Sequence, residues 1–272
     1  MKSSLIEKDT LHLGDSLEVM EHIADKSCDM ILCDLPYGVL NKNNPNAKWD
    51  NIIPFDPLWK QYERIIKDNG AIVLFAQGMF TARLMVSNPG MWRYNLIWDK
   101  MRVTGFLNAN RMPMRCHEDI CVFYKSLPTY NPQMTTGEPN HSRGDGIHKQ
   151  TNNCYGRYKE SGCDYHNGIR KVSPTKPGQK YPRSIIQISK EHKCGEFYHA
   201  TQKPVNLLRW LIRTYSNVGD MLLDNCMGSG STIIAAIQER RHYIGIEIDE
   251  RFYGVARKRI ESELRQKRME LW

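Results

Sequence analysis

The sequence predicts an α/β protein with a mostly parallel sheet and helices on both faces. Short apolar runs alternate with helix-like segments over residues 11–125, and a similar alternation returns after residue 183. Chemically distinctive residues also follow two of the apolar runs directly, at Asp34 and at Asp224. Because open α/β sheets form ligand sites where their strands end, these two places are the first candidates for function.

The first part of the chain contains most of the predicted strands. A helix is expected between the strands at Asp29–Cys33 and Ala71–Phe75, with Asp56 as its N-cap, Pro57 at its first position and its end at Asn69-Gly70. Four runs are short and apolar enough to be buried strands: Asp29–Cys33, Ala71–Phe75, Asn95–Trp98 and Asp119–Tyr124.

Regular structure resumes near residue 184 and gives a second run of βαβ character. The predicted order is strand, helix, strand, helix, strand and a basic amphipathic helix. These elements correspond to Ser184–Ile188, Pro204–Ser216, Met221–Leu223, the residues after Gly230, His242–Glu247 and the residues from Glu250 onward.

The stretch between these two parts, residues 126–182, is rich in Pro, Gly, Asn, Tyr, Lys and Arg and has no lasting apolar period. Long irregular segments within a domain are usually functional or disordered. Its mixture of aromatic and basic residues, as in Tyr155–Lys159, suits contacts with nucleic acid. A flexible surface insertion explains the composition equally well. We therefore divide the chain into 1–125, 126–182 and 183–272.

Composition narrows the class of protein further. The 272 residues include 38 Lys and Arg against 30 Asp and Glu, a net charge of +8 that favours a polyanionic partner where it is clustered. None of the eight cysteines forms a Cys-x-x-Cys pair, and Cys154, Cys163 and His166 fit no zinc pattern, so we expect reduced thiols and no metal. The sequence shows no signal-peptide pattern and no apolar run long enough to span a membrane, so we expect a cytoplasmic protein.

The second distinctive segment has the pattern of a cofactor loop. Gly228-Ser229-Gly230 permits a tight turn before a helix whose first N–H groups are free. Glu247 lies about twenty residues further on, at the end of the next strand, where a carboxylate can bind two ribose hydroxyls. A dinucleotide-binding fingerprint would have a third glycine at position 233, which is Ile233 in this chain. The chain also lacks the Gly-Lys-Ser/Thr loop that binds the phosphates of ATP. The pattern favours a nucleoside cofactor over NAD or ATP.

The first distinctive segment, Asp34-Leu35-Pro36-Tyr37, suits chemistry on an exocyclic amine. Such an amine is a poor nucleophile because its lone pair is delocalised into the ring. The carboxylate of Asp34 and the carbonyl of Leu35, held by Pro36, can both accept its hydrogens. Tyr37 can stack on a base that has been flipped out of a duplex. An ordinary strand-to-loop turn is the alternative interpretation.

The order of these segments, with Asp34–Tyr37 first, the irregular stretch next and Asp224–Thr232 last, resembles the permuted β class of amino-group DNA methyltransferases. In that family an Asp/Ser/Asn-Pro-Pro-Tyr motif precedes the target-recognition region, and the Gly-x-Gly motif comes last. Five shorter blocks also resemble the family: Gly14-Asp15-Ser16, His117–Ile120, Tyr181–Ser184, His199–Pro204 and Gly245–Asp249.

The resemblance implies a Rossmann-like methyltransferase fold with a seven-stranded sheet, a target-recognition insertion, S-adenosyl-L-methionine as cofactor and double-stranded DNA as partner, in restriction-modification. The implied catalytic residues are Asp34, Leu35, Pro36 and Tyr37. The implied cofactor-binding residues are Asp15, Lys203, Asp224, Gly228, Ser229, Gly230, Ser231, Thr232, Glu247 and Asp249. Lys203 is expected at the methionine carboxylate, and Asp15 either binds the cofactor or caps a helix.

The chain departs from the family pattern at two places. Leu35 replaces the first Pro of the catalytic motif, and Asp224-Asn225-Cys226 replaces Asp-Pro-Phe. Asp at position 34 favours the N6 amine of adenine over the N4 amine of cytosine, which stays the alternative. An RNA substrate and a catalytically silent DNA-binding module are further alternatives, and both a monomer and a homodimer are compatible with the sequence.

Overall fold

The computed structural model describes residues 5–39, 50–137, 179–189 and 202–269. The chain divides into two compact units. The larger consists of Met1–Asn131 with Arg183–Trp272, and the smaller of Pro132–Pro182. No helix within the described ranges has the length and apolar character that a membrane span requires.

The structure contains ten described strands and six described helices. The strands are β1 (Thr10–Leu13), β2 (Cys28–Cys33), β3 (Ile66–Ala76), β4 (Trp92–Thr104), β5 (Arg115–Phe123), β6 (Thr135–Thr136), β7 (Gln179–Lys180), β8 (Ile185–Gln187), β9 (Met221–Asp224) and β10 (His242–Glu247). The helices are α1 (Ser16–Met20), α2 (Phe55–Ile65), α3 (Met79–Ser87), α4 (Val205–Tyr215), α5 (Ser231–Gln238) and α6 (Glu250–Met269). In the smaller unit, β6 and β7 form an antiparallel pair.

The larger unit is built on one sheet with the strand order β1-β10-β9-β2-β3-β5-β4-β8. The first five strands in this order run parallel, β5 is antiparallel to both of its neighbours, and β8 is parallel to β4. The predicted α/β architecture with a mostly parallel sheet is confirmed. The sheet has eight described strands rather than the expected seven, with β8 at its edge.

Helices cover both faces of this sheet. Along β3, Val73 and Phe75 pack against the core beneath α4, α5 and α6, whereas Ile72 and Leu74 pack against the core beneath α1, α2 and α3. This alternation is the two-residue period of a strand. Strands buried on both faces are nearly continuous apolar runs, which explains why the sequence located them well.

The boundary between α2 and β3 differs from the prediction. The helix ends at Ile65, and the strand begins at the fully buried Ile66, so Asn69-Gly70 lies inside β3 rather than at a helix stop. The register between β2 and β3 is irregular there, and a Cβ on Gly70 would lie 2.8 Å from the carbonyl oxygen of Asp29. Gly70 therefore permits a close approach of two strands.

Gly230 should be intolerant of a side chain. Its φ is +81°, and an added Cβ would lie 3.1 Å from the Cβ of Ala256 in α6. We expect Gly230→Ala to reduce the free energy of unfolding by about 2 kcal/mol or more, since left-handed strain and a clash add. Gly228→Ala is the matched control, because its φ is +52° but no atom lies within 4 Å of its added Cβ. Urea unfolding measures both variants, and equal losses would contradict the packing role.

Candidate active site

A cavity of about 620 Å³ lies at the carboxyl ends of the parallel strands. Because these strands run in one direction, their ends meet at one edge of the sheet. Residues at or just after the ends of β1, β2, β3, β9 and β10 contribute to the lining, among them Gly14, Asp15, Asp34, Gln77, Asp224, Asn225, Glu247 and Ile248. All of the predicted site residues line this cavity except Gly230 and Asp249.

Asp34 is the first residue after β2, and its carboxylate is held at both oxygens. The hydroxyl of Tyr37 donates to Oδ1 at 2.7 Å, and the ammonium of Lys203 donates to Oδ2 at 2.5 Å. The Asp34 side chain is 27% exposed, whereas that of Lys203 is 8% exposed. Since each carboxylate oxygen has two lone pairs, Asp34 keeps acceptor capacity towards the cavity.

Lys203 belongs to a buried chain of alternating charges. Its Nζ lies 3.4 Å from Oε2 of Glu118, and Oε1 of Glu118 lies 2.6 Å from Nζ of Lys100. Burial alone lowers the pKa of Lys203, but the carboxylates of Asp34 and Glu118 outweigh burial and raise that pKa. Burial likewise raises the pKa of Glu118, and the two ammonium groups outweigh it and lower that pKa. Lys203 and Glu118 are therefore held in their charged forms.

The ionic partners of Lys203 could not be predicted from the sequence. The sequence predicts Lys203 at a cofactor carboxylate; the structure places it in the cavity lining, with its ammonium bound to Asp34. Glu118 lies in a block that resembled the family, but a local sequence pattern does not reveal that its side chain reaches residue 203. Lys100 carried no signal at all.

The rest of the tetrapeptide Asp34–Tyr37 is held in place by its surroundings. Leu35 is 3% exposed and packs in the core, so its side chain is structural. The ring of Tyr37 packs against Phe80 with 4.8 Å between ring centroids. Asp50, a buried residue that the sequence did not single out, accepts hydrogen bonds from the N–H groups of Gly38 at 2.9 Å and Val39 at 2.7 Å.

Glu247 and the glycine loop form the other part of the cavity. The N–H of Gly228 donates to Oε2 of Glu247 at 2.8 Å, and the N–H of Asp249 donates to Oε1 at 2.8 Å. These bonds orient the carboxylate. Burial raises the pKa of Glu247.

Two predicted cofactor residues have local roles outside the cavity lining. Gly230 lies against Ala256 of α6. The carboxylate of Asp249 accepts hydrogen bonds from the N–H and the guanidinium of Arg251, both at 2.9 Å, at the start of α6. Asp15 has the expected helix-capping role, because its carboxylate accepts a hydrogen bond from the N–H of Leu17 at 2.8 Å at the start of α1. Asp15 also lines the cavity.

Asn225 and Cys226, which replace the Pro and Phe of the family pattern, are held by hydrogen bonds in the structure. The hydroxyl of the fully buried Tyr62 donates to Oδ1 of Asn225 at 2.5 Å. The N–H of Cys226 donates to Oδ1 of Asp224 at 3.1 Å. Both Asn225 and Cys226 line the cavity, where polar and thiol groups replace the aromatic ring that the family pattern expects.

Asp224 should make folding depend on pH. Burial raises its pKa from the ordinary 3.8 to about 7, although hydrogen bonds from Thr232 and the N–H of Cys226 partly oppose burial. A raised folded pKa means that the stability contribution of Asp224 is present below pH 4 and is lost as the pH rises through about 7.

Asp224→Asn should therefore flatten the dependence of stability on pH. We expect the free energy of unfolding to fall less between about pH 5 and about pH 8 in the variant than in the wild type. Asp56→Asn, at an exposed position of α2, is the control for the same chemical change. Urea unfolding at both pH values measures the slopes, and identical slopes in wild type and Asp224→Asn would contradict the assignment.

Comparison with known proteins identifies the family. Residues 28–258 match the family model N6_N4_Mtase, described as DNA methylase. The chain is 24% identical to the Type II methyltransferase M.HpaI of Haemophilus parainfluenzae, covering 92% of this chain and 73% of that protein. It is 25% identical to the Type II methyltransferase M1.MboII of Moraxella bovis, covering 93% and 96% respectively.

Solved structures agree in fold. The structure titled M1.HpyAVI-SAM complex matches with a TM-score of 0.58 at 20% identity, over 92% of this chain and 98% of that chain. The PvuII DNA methyltransferase, titled cytosine-N4-specific, matches with a TM-score of 0.64 at 15% identity, over 93% and 86%. With the family model spanning most of the residues that form the cavity, the chain belongs to the β class of amino-group DNA methyltransferases, whose methyl donor is S-adenosyl-L-methionine.

Proposed function

We propose that this protein transfers a methyl group from S-adenosyl-L-methionine to the N6 amine of adenine within a specific sequence of duplex DNA. The observation that supports this most strongly is that Asp34 and Glu247 line one cavity. An amine-binding carboxylate and a ribose-binding carboxylate then serve the same reaction. The Type II methyltransferases among the relatives make a restriction-modification role the natural setting.

Asp34 is proposed to prepare the amine. Its oxygens accept the amino hydrogens, and the carbonyl of Leu35 supplies a second acceptor, which draws the nitrogen lone pair out of conjugation with the ring. The ammonium of Lys203, 2.5 Å from Oδ2, holds the carboxylate in one orientation. Catalysis then consists largely of positioning a nucleophile against the methyl carbon.

Tyr37 is proposed to stack on the flipped base. Its hydroxyl donates to Asp34 and its ring packs against Phe80, so two contacts fix the orientation of the ring. A rigid aromatic surface is a suitable partner for a base removed from the duplex stack. Asp50 supports the same segment by binding the N–H groups of Gly38 and Val39.

The residues around Glu247 fit S-adenosyl-L-methionine. Its carboxylate is oriented by two backbone N–H groups, and Gln202, which also lines the cavity, has a buried Oε1 that lacks a hydrogen-bond partner within the described residues. Such an atom is costly unless a ligand satisfies it. When bound, the cofactor supplies an electrophilic methyl group on a sulfonium.

Cytosine N4 methylation is the second candidate. One structural neighbour is titled cytosine-N4-specific, and its chemistry needs the same amine activation. Asp34, rather than Ser, at the start of the tetrapeptide favours adenine. Sequence readout by residues 126–182 remains a prediction, because residues 138–178 lie outside the described residues.

The product identifies the target base. The purified protein is incubated with S-adenosyl-L-methionine and unmethylated DNA of mixed sequence, and the DNA is digested to nucleosides for mass spectrometry. We expect N6-methyladenine. N4-methylcytosine would keep the mechanism but replace the base, and methylation of RNA alone would contradict the proposal.

Asp34→Ala should slow methyl transfer severely while leaving cofactor affinity nearly unchanged. The variant loses the acceptor for the amine, and we expect kcat to fall by a factor of about 100 or more, in the range of catalytic acid-base groups. Asp56→Ala, exposed on α2, serves as the control. Single-turnover methylation with tritiated cofactor measures the rate, and a loss below about threefold would contradict the role of Asp34.

A further inference from the structure

A hairpin made by the end of β4 and the start of β5 extends from the sheet. We define residues 101–115 as the basic hairpin. Thr104 pairs with Arg115 across it, and the Thr104 hydroxyl donates to the Arg115 carbonyl at 3.2 Å. At its tip, Phe106–Asn108 form one 3₁₀ turn, and the N–H of Arg111 donates to the carbonyl of Asn108 at 2.8 Å. The tip is therefore an internally bonded turn.

The tip presents large apolar side chains to solvent. Phe106 is 79% exposed and Leu107 is 96% exposed, and they are adjacent in the 3₁₀ turn. Further exposed apolar side chains lie along the same hairpin: Met101, Val103, Met112 and Met114. Clustered apolar exposure of this kind marks an interaction surface.

Charge specifies the partner of this surface. Arg102, Arg111 and Arg115 are all exposed, and no Asp or Glu occurs between residues 100 and 117. A second copy docked by a two-fold contact would place equal positive charges face to face. A polyanion with apolar surfaces between its charges fits better, and duplex DNA with its stacked bases has this chemistry.

The basic hairpin begins at the active-site cavity. Trp98 and Lys100 of β4 and Glu118 of β5 line the cavity. Because β4 pairs antiparallel with β5, and β5 pairs antiparallel with β3, β4 leaves the sheet at the edge where the parallel strands end. Five further residues bring the chain from Asp99 to Thr104, so Thr104, just before the tip of the hairpin, can lie at most about 17 Å beyond the cavity lining at this point.

We propose that the basic hairpin is a DNA wedge, with Phe106 and Leu107 entering the base stack beside the extruded target base and the three arginines binding phosphates. This inference rests on the proposed function, because it names how the same site gains access to its base. Apolar side chains that enter a duplex compensate for stacking lost during base extrusion. The wedge also explains why such side chains remain exposed in the free protein.

A paired-substrate experiment tests the wedge. The Phe106→Ala/Leu107→Ala variant is assayed on a duplex containing the site that the wild type methylates, and on the same duplex with an abasic nucleotide opposite the target base. Extrusion is easier in the second duplex because no base pair is broken. We expect kcat/KM to fall by about tenfold or more on the paired duplex and by less than about twofold on the abasic one.

The control replaces two exposed apolar residues outside the hairpin, Val86→Ala/Val218→Ala. Equal loss on both substrates, or no loss on either, would overturn the wedge while leaving the methyltransferase assignment intact. If the wild-type protein methylates no site in duplex DNA, so that no such substrate can be made, the proposed function is overturned, and the wedge with it. A change in sedimentation without a change in kcat/KM would assign the hairpin to a contact between copies.

The arginines give an independent measurement. Arg102→Gln/Arg111→Gln/Arg115→Gln should weaken DNA binding and reduce the slope of log K against log salt by about 1 for each arginine that no longer binds a phosphate, up to about 3 in total. Fluorescence anisotropy with labelled duplex measures this slope between low and moderate salt. An unchanged slope would contradict phosphate binding by the basic hairpin.

Discussion

The buried charge chain from Lys100 through Glu118 and Lys203 to Asp34 is the interaction on which the site depends. It joins β4, β5, the exit of β2 and the residue before Pro204, so residues 169 positions apart in sequence meet at one carboxylate. Two cations and two anions balance within it. Lys203 and Glu118 are the central groups of this chain and are largely buried, so removing either one would leave a largely buried charge without its counter-charge, which is far more costly than the pair is favourable. The chain is therefore better understood as fixing geometry than as adding stability.

The strand order explains how the two separated halves of the sequence form one site. β9 and β10, from the C-terminal part, lie between β1 and β2 of the N-terminal part. The exit of β2 with Asp34 is thus a direct neighbour of the exit of β9 with Asp224, and Glu247 follows at the end of β10. The order of the motifs along the chain therefore does not determine the cavity. The strand order in the sheet does, because it sets which strand ends are neighbours.

Much of the fold was predictable because its strands are buried on both faces. His242–Glu247 agrees with β10 at both ends, and the helix after Gly230 begins at Ser231. The stop at Asn69-Gly70 was wrong because Gly70 resembles a helix terminator but serves a close strand approach to Asp29. A glycine gives the same local sequence pattern at a helix end and at a close approach of two strands, so the sequence does not distinguish them.

The site was predictable only where a local motif carries it. Asp34 directly follows β2 and Glu247 ends β10, so local patterns located both, whereas the partners of Lys203 depend on long-range pairing that no spacing encodes. The basic hairpin was likewise invisible, because its apolar residues resemble the continuation of a strand until the structure exposes them to solvent.

Calorimetric titration with S-adenosyl-L-methionine tests most directly whether one cavity has a cofactor end and a base end. We expect Glu247→Ala to weaken cofactor binding by about tenfold or more, since a carboxylate oriented by two N–H groups is lost, and Tyr37→Ala to change it by less than about twofold. Equal losses in the two variants, or a loss in Tyr37→Ala alone, would contradict the division of the cavity between Glu247 and Asp34.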